Sequence, residues 1–458
     1  MNSHDVRIWA IRKRPTKSPS YDVRWKVGDR LPFSKTFRTK ALADNFRAKL
    51  LRSTQKGEEF DTETGLPASM TETRATLTWY DFAQKYLAMK WPHAAPNTRD
   101  GINEALTLVT MALLDECPGR PEDGLLREAL RKWAFVLPTP GEREVPVAVG
   151  NALHWLGKAS KPLADLGKPA VLLGVLDALK LKLDGTAAAP ETVRRKKNTF
   201  VNALEYAKNL GEFTENPMTL VQWKRPRVVK QVDPRVVFNP RQAGRLLDAT
   251  TYVGGFRRAR GRRLTGMFAG MYYGGFRPAE AVGLSLPDCT LPSSGWGSVL
   301  LHRTRPTVGK LWTGTGNVHD DRGLKNRPAK DTREVPIPPQ LVAIFRDHVD
   351  TFGTADDGRL FFNERGGLVS SSTYSRVWEE ARQLALPPAE QSSLLADCPY
   401  AARHSALSTW LNSGTDPTEV AMRAGNSVEV LLTRYAKCIA GRFEIANARI
   451  EGLLREYE

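Results

Sequence analysis

The sequence predicts a multidomain chain. A small α+β unit, with a three-stranded sheet and one helix, spans 1–60, an all-α unit spans 77–223, and a mainly α unit with a small β-sheet spans 236–458. Three observations predict this. The 458 residues exceed what one hydrophobic core ordinarily organises. The hydrophobic period changes from 2 to 3.6 near Thr39, and helical spacing dominates most of the chain beyond that point. Two stretches, a polar one at 61–76 and a basic, proline-punctuated one at 224–235, read as linkers.

Residues 1–60 hold fifteen Lys/Arg against six Asp/Glu. Val6-Arg-Ile-Trp-Ala-Ile-Arg12 and Tyr21-Asp-Val-Arg-Trp-Lys-Val27 alternate apolar with basic residues, and Arg30-Leu-Pro-Phe-Ser-Lys-Thr-Phe-Arg38 adds a third run, as half-buried strands do. Residues 39–56 then read as a helix with Ala41, Ala43, Phe46, Leu50 and Leu51 inward. A small sheet with Arg12, Lys13, Arg14, Arg24 and Lys26 on its open face can enter a DNA major groove as β-ribbon readers do, the plainer reading being a solvated face.

From 77 to 223 the pattern predicts helices over 79–87, 98–114, 171–183 and 190–210, with an extra helix or two and loops, of no assigned function, over 115–165. Arg194, Arg195, Lys196 and Lys197 crowd the start of the last of these helices, where cations oppose the macrodipole. Phosphate contact would offset that cost. The connector adds Lys224, Arg225 and Arg227, which strengthen sequence-blind affinity for a polyanion.

The last unit reads as helices over 240–249 and 262–273, a turn at Arg277, strands over 298–302 and 333–337, and helices to the end. A long polar loop, 309–327, is inserted in its sheet. Asp416-Pro417-Thr418-Glu419 places an acid, a proline and a glutamate where a helix start wants them. That helix should stop near Gly425, and Ser427 can cap another in which Val428, Leu431, Leu432 and Tyr435 share one face. The tail puts Ile445, Ile450, Leu453 and Leu454 on one helical face, to dock on a neighbouring protomer or to pack on its own domain.

The composition narrows the class. A net charge of +17 points to a polyanionic partner. No apolar run approaches the roughly 18 residues of a membrane span, and the N-terminus has no apolar stretch behind a basic one, so a cytoplasmic protein is expected. Cys117, Cys289, Cys398 and Cys438 are far apart, which suggests neither disulfides nor zinc but ordinary buried thiols.

Three further features carry chemistry. Met271-Tyr-Tyr-Gly-Gly-Phe-Arg277-Pro-Ala-Glu280 sets an arginine on a glycine turn, one helical turn before a glutamate. Gly323-Leu-Lys325-Asn-Arg-Pro-Ala-Lys330-Asp-Thr-Arg333-Glu-Val-Pro-Ile-Pro338 is a basic hairpin. Tyr400-Ala-Ala-Arg403-His404, then Gly425-Asn426, then Tyr435 complete the order. Arg, Lys, Tyr-x-x-Arg-His, Asn, Tyr resembles the catalytic domain of the tyrosine recombinases, the phage-integrase family, over about 236–458 and more loosely before it.

The resemblance implies the tyrosine recombinase fold, with an arm-site-binding domain at 1–60 and a SAM-like core-binding domain at 77–223. It implies a DNA breaking and rejoining enzyme in which a tyrosine forms a 3′-phosphotyrosine, with no metal, ATP or other cofactor. Tyr435 would be the nucleophile, and Arg277 and Arg403 would grip the phosphate. Lys325, in a Gly-Leu-Lys-x-Arg run like that of actinobacterial-type integrases, or its rival Lys330, would protonate the leaving oxygen. The family's two usual histidines are replaced by Tyr400 and Asn426, which can still hydrogen-bond a phosphate oxygen, Asn426 as a donor, but neither is a good general base near neutrality. Glu280 would buttress Arg277, and His404 would be a structural member of the motif. Implied partners are double-stranded DNA at arm and core attachment sites, a homotetramer on synapsed DNA, and a host DNA-bending or directionality factor. A DNA-binding protein that has lost the chemistry and a type IB topoisomerase are the competing readings.

Overall fold

The computed structural model describes residues 2–14, 20–29, 31–67, 69–70, 77–137, 144–224, 226, 231–255, 258–325, 327–328, 330–438 and 442–456. Arg225 and Arg227 of the connector, and residues 71–76 of the first linker, lie outside them.

The N-terminal sheet is built on the strand Ser20–Val27, whose Val23, Trp25 and Val27 are buried while Arg24 on the other face is exposed. The first predicted strand is interrupted. Val6–Ile8 and Arg12–Arg14 pair with opposite ends of Ser20–Val27, and Phe33–Phe37 pairs with its other edge. A further pair, Asn2–Ser3 with Phe60–Asp61, ties the start of the chain to the end of the predicted unit. The helix Lys40–Gln55 starts at Thr39, whose side chain accepts from the Leu42 amide, and turns Ala43 and Leu50 onto the sheet. Ala41, two residues before Ala43, is exposed on the opposite side of the helix.

The helical unit packs Trp79–Lys90, Pro96–Ala112, Pro169–Ala178 and Pro190–Asn209 around a core holding Trp79, Phe82, Leu106 and Phe200. The stretch of unassigned function is part of that core. Asp123–Ala129 and Val147–Ala159 are helices that bury Leu126 and Leu156, and the π-helical turn Leu130–Ala134 after the first of them adds Leu130 and Phe135.

In the last unit the buried helix Ala259–Tyr273 leads into the Arg277 turn, and Gly297–Leu301 pairs with Arg333–Ile337. The helices Pro339–Phe352 and Ser371–Ala385 pack beside it, and Tyr400–Asn412, Pro417–Ala424 and Val428–Tyr435 follow. Leu431 and Tyr435 are buried, but Leu432 is exposed, so the inward face of that last short helix is narrower than the sequence spacing predicts. The tail forms the helix Arg442–Arg455 with Ile450, Leu453 and Leu454 exposed, and the side chain of Ile445 lies outside the described residues. Of the four cysteines only Cys438 is buried; Cys398, in the turn before Tyr400, is exposed. Among the described residues no helix is long and apolar enough to cross a membrane.

The inserted loop is not simply a solvated polar one. Trp312 is buried in the core of the helical unit, with Val308 and Leu311 packed against that core. Its ring lies 6.4 Å from Trp91 and under the Arg131 guanidinium at 5.4 Å, while Arg99 donates to its carbonyl at 2.8 Å. One aromatic thus locks the second and third units together. Truncation of such a side chain typically costs about 3–5 kcal/mol. Trp312→Ala is expected to uncouple the two units, read in calorimetry as a single unfolding transition splitting into two, with the lower one belonging to the helical unit.

Candidate active site

The site grows from the end of the helix Ala259–Tyr273. Gly275, at φ +60, makes the turn and lies where a Cβ would press into Trp410 and Leu407. Its carbonyl accepts from Arg403, which stands in the first turn of Tyr400–Asn412. Pro278 opens the next helix, and Glu280 folds back so that its carboxylate accepts from the Arg277 amide at 2.8 Å and from Arg277 Nη1 at 2.7 Å.

Glu280 is fully buried and serves three guanidiniums. Besides Arg277 it accepts from Arg333 Nη2 at 2.8 Å, and Arg403 Nη1 lies 4.0 Å away. Burial alone would raise its pKa, but Arg333, Arg403 and Arg277 outweigh that and hold the carboxyl at about 2. Three permanent cations face one anion, so the pocket keeps an excess of two positive charges in low dielectric. Arg403 is essentially inaccessible, whereas the Arg277 side chain keeps 16% of its surface open.

Arg333 is a site residue that the motif order passes over. It opens the strand Arg333–Ile337, where alternation puts it on the same buried face as Val335 and Ile337. A charged residue on the core face of a predicted strand was the available signal. Its Nη1 donates to the Ala424 carbonyl at 3.2 Å, and its buried Nε has no partner. Gly425 makes room for it. With φ +62 this residue ends the helix Pro417–Ala424, and a Cβ there would run into the Arg333 guanidinium. The Gly425 carbonyl and the Asn426 side-chain oxygen then accept from Arg277 Nη2 at 2.8 and 3.0 Å.

Tyr435 ends the helix Val428–Tyr435 and is 2% exposed. Burial pushes its pKa up, against the pull of Arg403 and Arg434. Its hydroxyl lies 2.8 Å from Nδ1 of His404, and Tyr400 packs edge-on to the same imidazole at 5.0 Å. Val232, at the end of the connector, packs in the Tyr435 cluster, and its amide donates to the Arg434 carbonyl at 2.7 Å.

Arg277, Glu280, Tyr400, Arg403, His404, Asn426 and Tyr435 are therefore brought together. The lysines are not. Lys325 and Lys330 are exposed on the hairpin, Lys330 at φ +72, between buried Leu324 and an Arg327–Asp331 ion pair. Among the described residues no hydrogen bond or ion pair joins either lysine to the cluster.

The predicted phosphate-binding cations divide likewise. Arg12, Lys13 and Arg14 are exposed, although Arg14 pairs with Asp22, and Arg24 stacks over Trp9 at 5.6 Å. Lys26 is half-buried. Arg194 is paired with Glu191, Lys197 lies over Trp223, and Arg195 and Lys224 are exposed. Lys196 must be corrected. Three residues beyond Val193 and four before Phe200, it faces the core, 2% exposed, bonded to Glu104 at 2.9 Å and to the Leu181 carbonyl.

Removing one partner from a buried ionic cluster costs about 3–5 kcal/mol. Glu280→Gln should lower stability by about that much in urea unfolding at pH 7. The Glu280 carboxyl is lower in the folded than in the unfolded chain, so its contribution is complete above the unfolded pKa of about 4.3 and is lost as pH falls toward 2. The gap between wild type and variant should close over that window.

No family model matches the chain, and neither does any curated protein. Among solved structures it is similar to the Tn1549 transposon integrase in complex with a circular intermediate DNA, at 16% identity and a TM-score of 0.48, over 72% of this chain and 98% of that one. It is also similar to the XerH site-specific recombinase bound to a palindromic difH substrate, at 11% identity and TM-score 0.46, over 81% and 96%. A lambda integrase tetramer bound to a Holliday junction is similar at 11% and TM-score 0.46, over 91% and 95%.

Proposed function

We propose that the chain is a site-specific DNA recombinase of the tyrosine recombinase type, the integrase of a phage or integrative element. One observation carries the reading: a tyrosine hydroxyl stands beside a buried pocket in which three arginines face a single carboxylate. An excess of positive charge held in low dielectric suits a group that becomes more negative as it reacts. A phosphodiester passing through a pentavalent transition state is such a group.

In this reading Tyr435 attacks the phosphorus, a 3′-phosphotyrosine forms, and a 5′-hydroxyl departs with a proton from Lys325 or Lys330. Keeping the bond energy in the phosphotyrosine makes ATP unnecessary. Arg277 and Arg403 hold the non-bridging oxygens, with Arg333 adding a third charge. The Asn426 oxygen is engaged by Arg277, which leaves its amide N–H groups to donate to the phosphate. Residues 1–60 bind arm sites, 77–223 grip the core site opposite the catalytic unit 236–458, and four copies act on two synapsed duplexes in the bacterial cytoplasm. A host bending or directionality factor completes the assembly.

The test is covalent capture. A pool of nicked duplexes with a degenerate core is incubated with the protein in EDTA, and adducts are isolated on denaturing gels and sequenced. Wild type should yield an adduct that Tyr435→Phe does not. DNA retardation by both without any adduct would favour a binding protein that has lost the chemistry. Relaxation of supercoiled plasmid without strand exchange between duplexes would favour the topoisomerase reading. Arg195→Ala should weaken DNA binding and reduce the slope of log affinity against log salt by about one. Lys196→Ala should instead lower the melting temperature with little change in that slope.

A further inference from the structure

We infer that His404 accepts the proton of the Tyr435 hydroxyl during strand cleavage and returns it during rejoining. This rests on the proposed strand-transfer chemistry and supplies the step that Tyr400 and Asn426 leave open.

The geometry carries the inference. His404 Nδ1 is 2.8 Å from the Tyr435 oxygen, and the two rings lie 5.7 Å apart at 59°, so an in-plane nitrogen lone pair can meet the phenolic hydrogen. The groups facing the imidazole are Tyr400 and Arg403 on its own helix and Arg434 and Tyr435 on the facing one. Arg403 and Arg434 are cations with no lone pair to offer, and Tyr400 is a phenol like the nucleophile. Cys438, nearby, has its thiol directed at the Val232 carbonyl. His404 is thus the base at hydrogen-bond distance from the nucleophile among the described residues.

Burial, then the Arg434 and Arg403 charges, hold the imidazole near 4, so it is neutral at pH 7. With its proton on Nε2, its Nδ1 is free to accept. Burial pushes the Tyr435 phenol up against the pull of both arginines, so before a phosphate binds the proton stays on oxygen. A bound phosphate changes both groups. Its negative charge offsets Arg403 and raises the imidazole, and the forming Oη–phosphorus bond makes the phenol acidic. As that bond forms and the bond to the 5′ oxygen breaks, the phenolic proton passes to Nδ1, giving an imidazolium. The 5′ oxygen takes its proton from the lysine-bearing hairpin. In rejoining, the 5′ hydroxyl attacks the phosphorus and returns its proton to the hairpin lysine, while the phosphorus–Oη bond breaks and the imidazolium protonates the departing tyrosine oxygen.

The experiment uses full-length protein and a duplex recovered by covalent capture, in single-turnover cleavage at saturating DNA from pH 4.5 to 9. Wild type should lose rate on the acid side as His404 becomes protonated. His404→Gln keeps an acceptor of similar reach but cannot hold the proton. It should bind the duplex with unchanged affinity, cleave ~100-fold more slowly or worse, and lack the acid limb. A 5′-bridging phosphorothiolate, whose sulfur leaves without an acid, should not rescue it. In His404→Gly, added imidazoles should restore rate in proportion to their basicity. Selective nitrogen-15 labelling of the seven histidines in the wild-type chain gives a second reading independent of any variant. The His404 Nδ1 should be unprotonated at pH 7. Cleavage by His404→Gln within threefold of wild type and with the same acid limb, or a protonated Nδ1 at pH 7, would overturn the inference while leaving the recombinase reading intact. Absence of any adduct from wild type would overturn both.

Discussion

The buried carboxylate of Glu280 is the constraint on which the rest of the site depends. Three guanidiniums from three distant stretches, Arg277, Arg333 and Arg403, converge on it, and none could be buried without a counter-charge. That convergence fixes how the Arg277 turn, the opening of the strand Arg333–Ile337 and the first turn of the helix Tyr400–Asn412 sit together. It also explains the glycines. Gly275 and Gly425 both adopt left-handed backbone, and their carbonyls take guanidinium hydrogens where side chains would otherwise collide.

One anion against three cations is a poor arrangement for stability alone, since two like charges remain uncompensated. It is the arrangement that the proposed phosphate-binding role calls for. Tyr435 is positioned by separate means: Leu431 and Tyr435 pack in a small cluster with Val232, and the Tyr435 hydroxyl is held by His404. Val232, in the connector, also bonds the backbone of Arg434, so the connector touches the helix that carries Tyr435. Trp312 provides a second link, made from the two pieces of sequence least interpretable by themselves, the 309–327 loop and the 115–165 stretch that carries Arg131. The described contacts thus link the last unit to the connector at Val232, beside the helix that carries Tyr435, and to the helical unit at Trp312.

Much was legible in advance because it is written in local rules. The alternation around Val23 and Trp25, the proline-opened helices at Pro190, Pro240 and Pro417, and the glycine stop at Gly425 follow from backbone sterics and burial periodicity, which act over a few residues. The order of Arg277, Arg403 and Tyr435, and the pairing of Glu280 with Arg277 one helical turn away, could likewise be read along the chain. Tertiary structure decided the rest. Arg333 entered the site because a strand's core face was turned toward a helix end nearly a hundred residues away, and Lys196 turned from the expected exposed position into the core because Glu104 lay across from it. Trp312 became a core residue of another unit, and His404 came to face Tyr435 across two helices. The physical reason is common to all four: a side chain's partner is set by contacts between segments far apart in sequence, and periodicity along one segment carries no record of what the other brings.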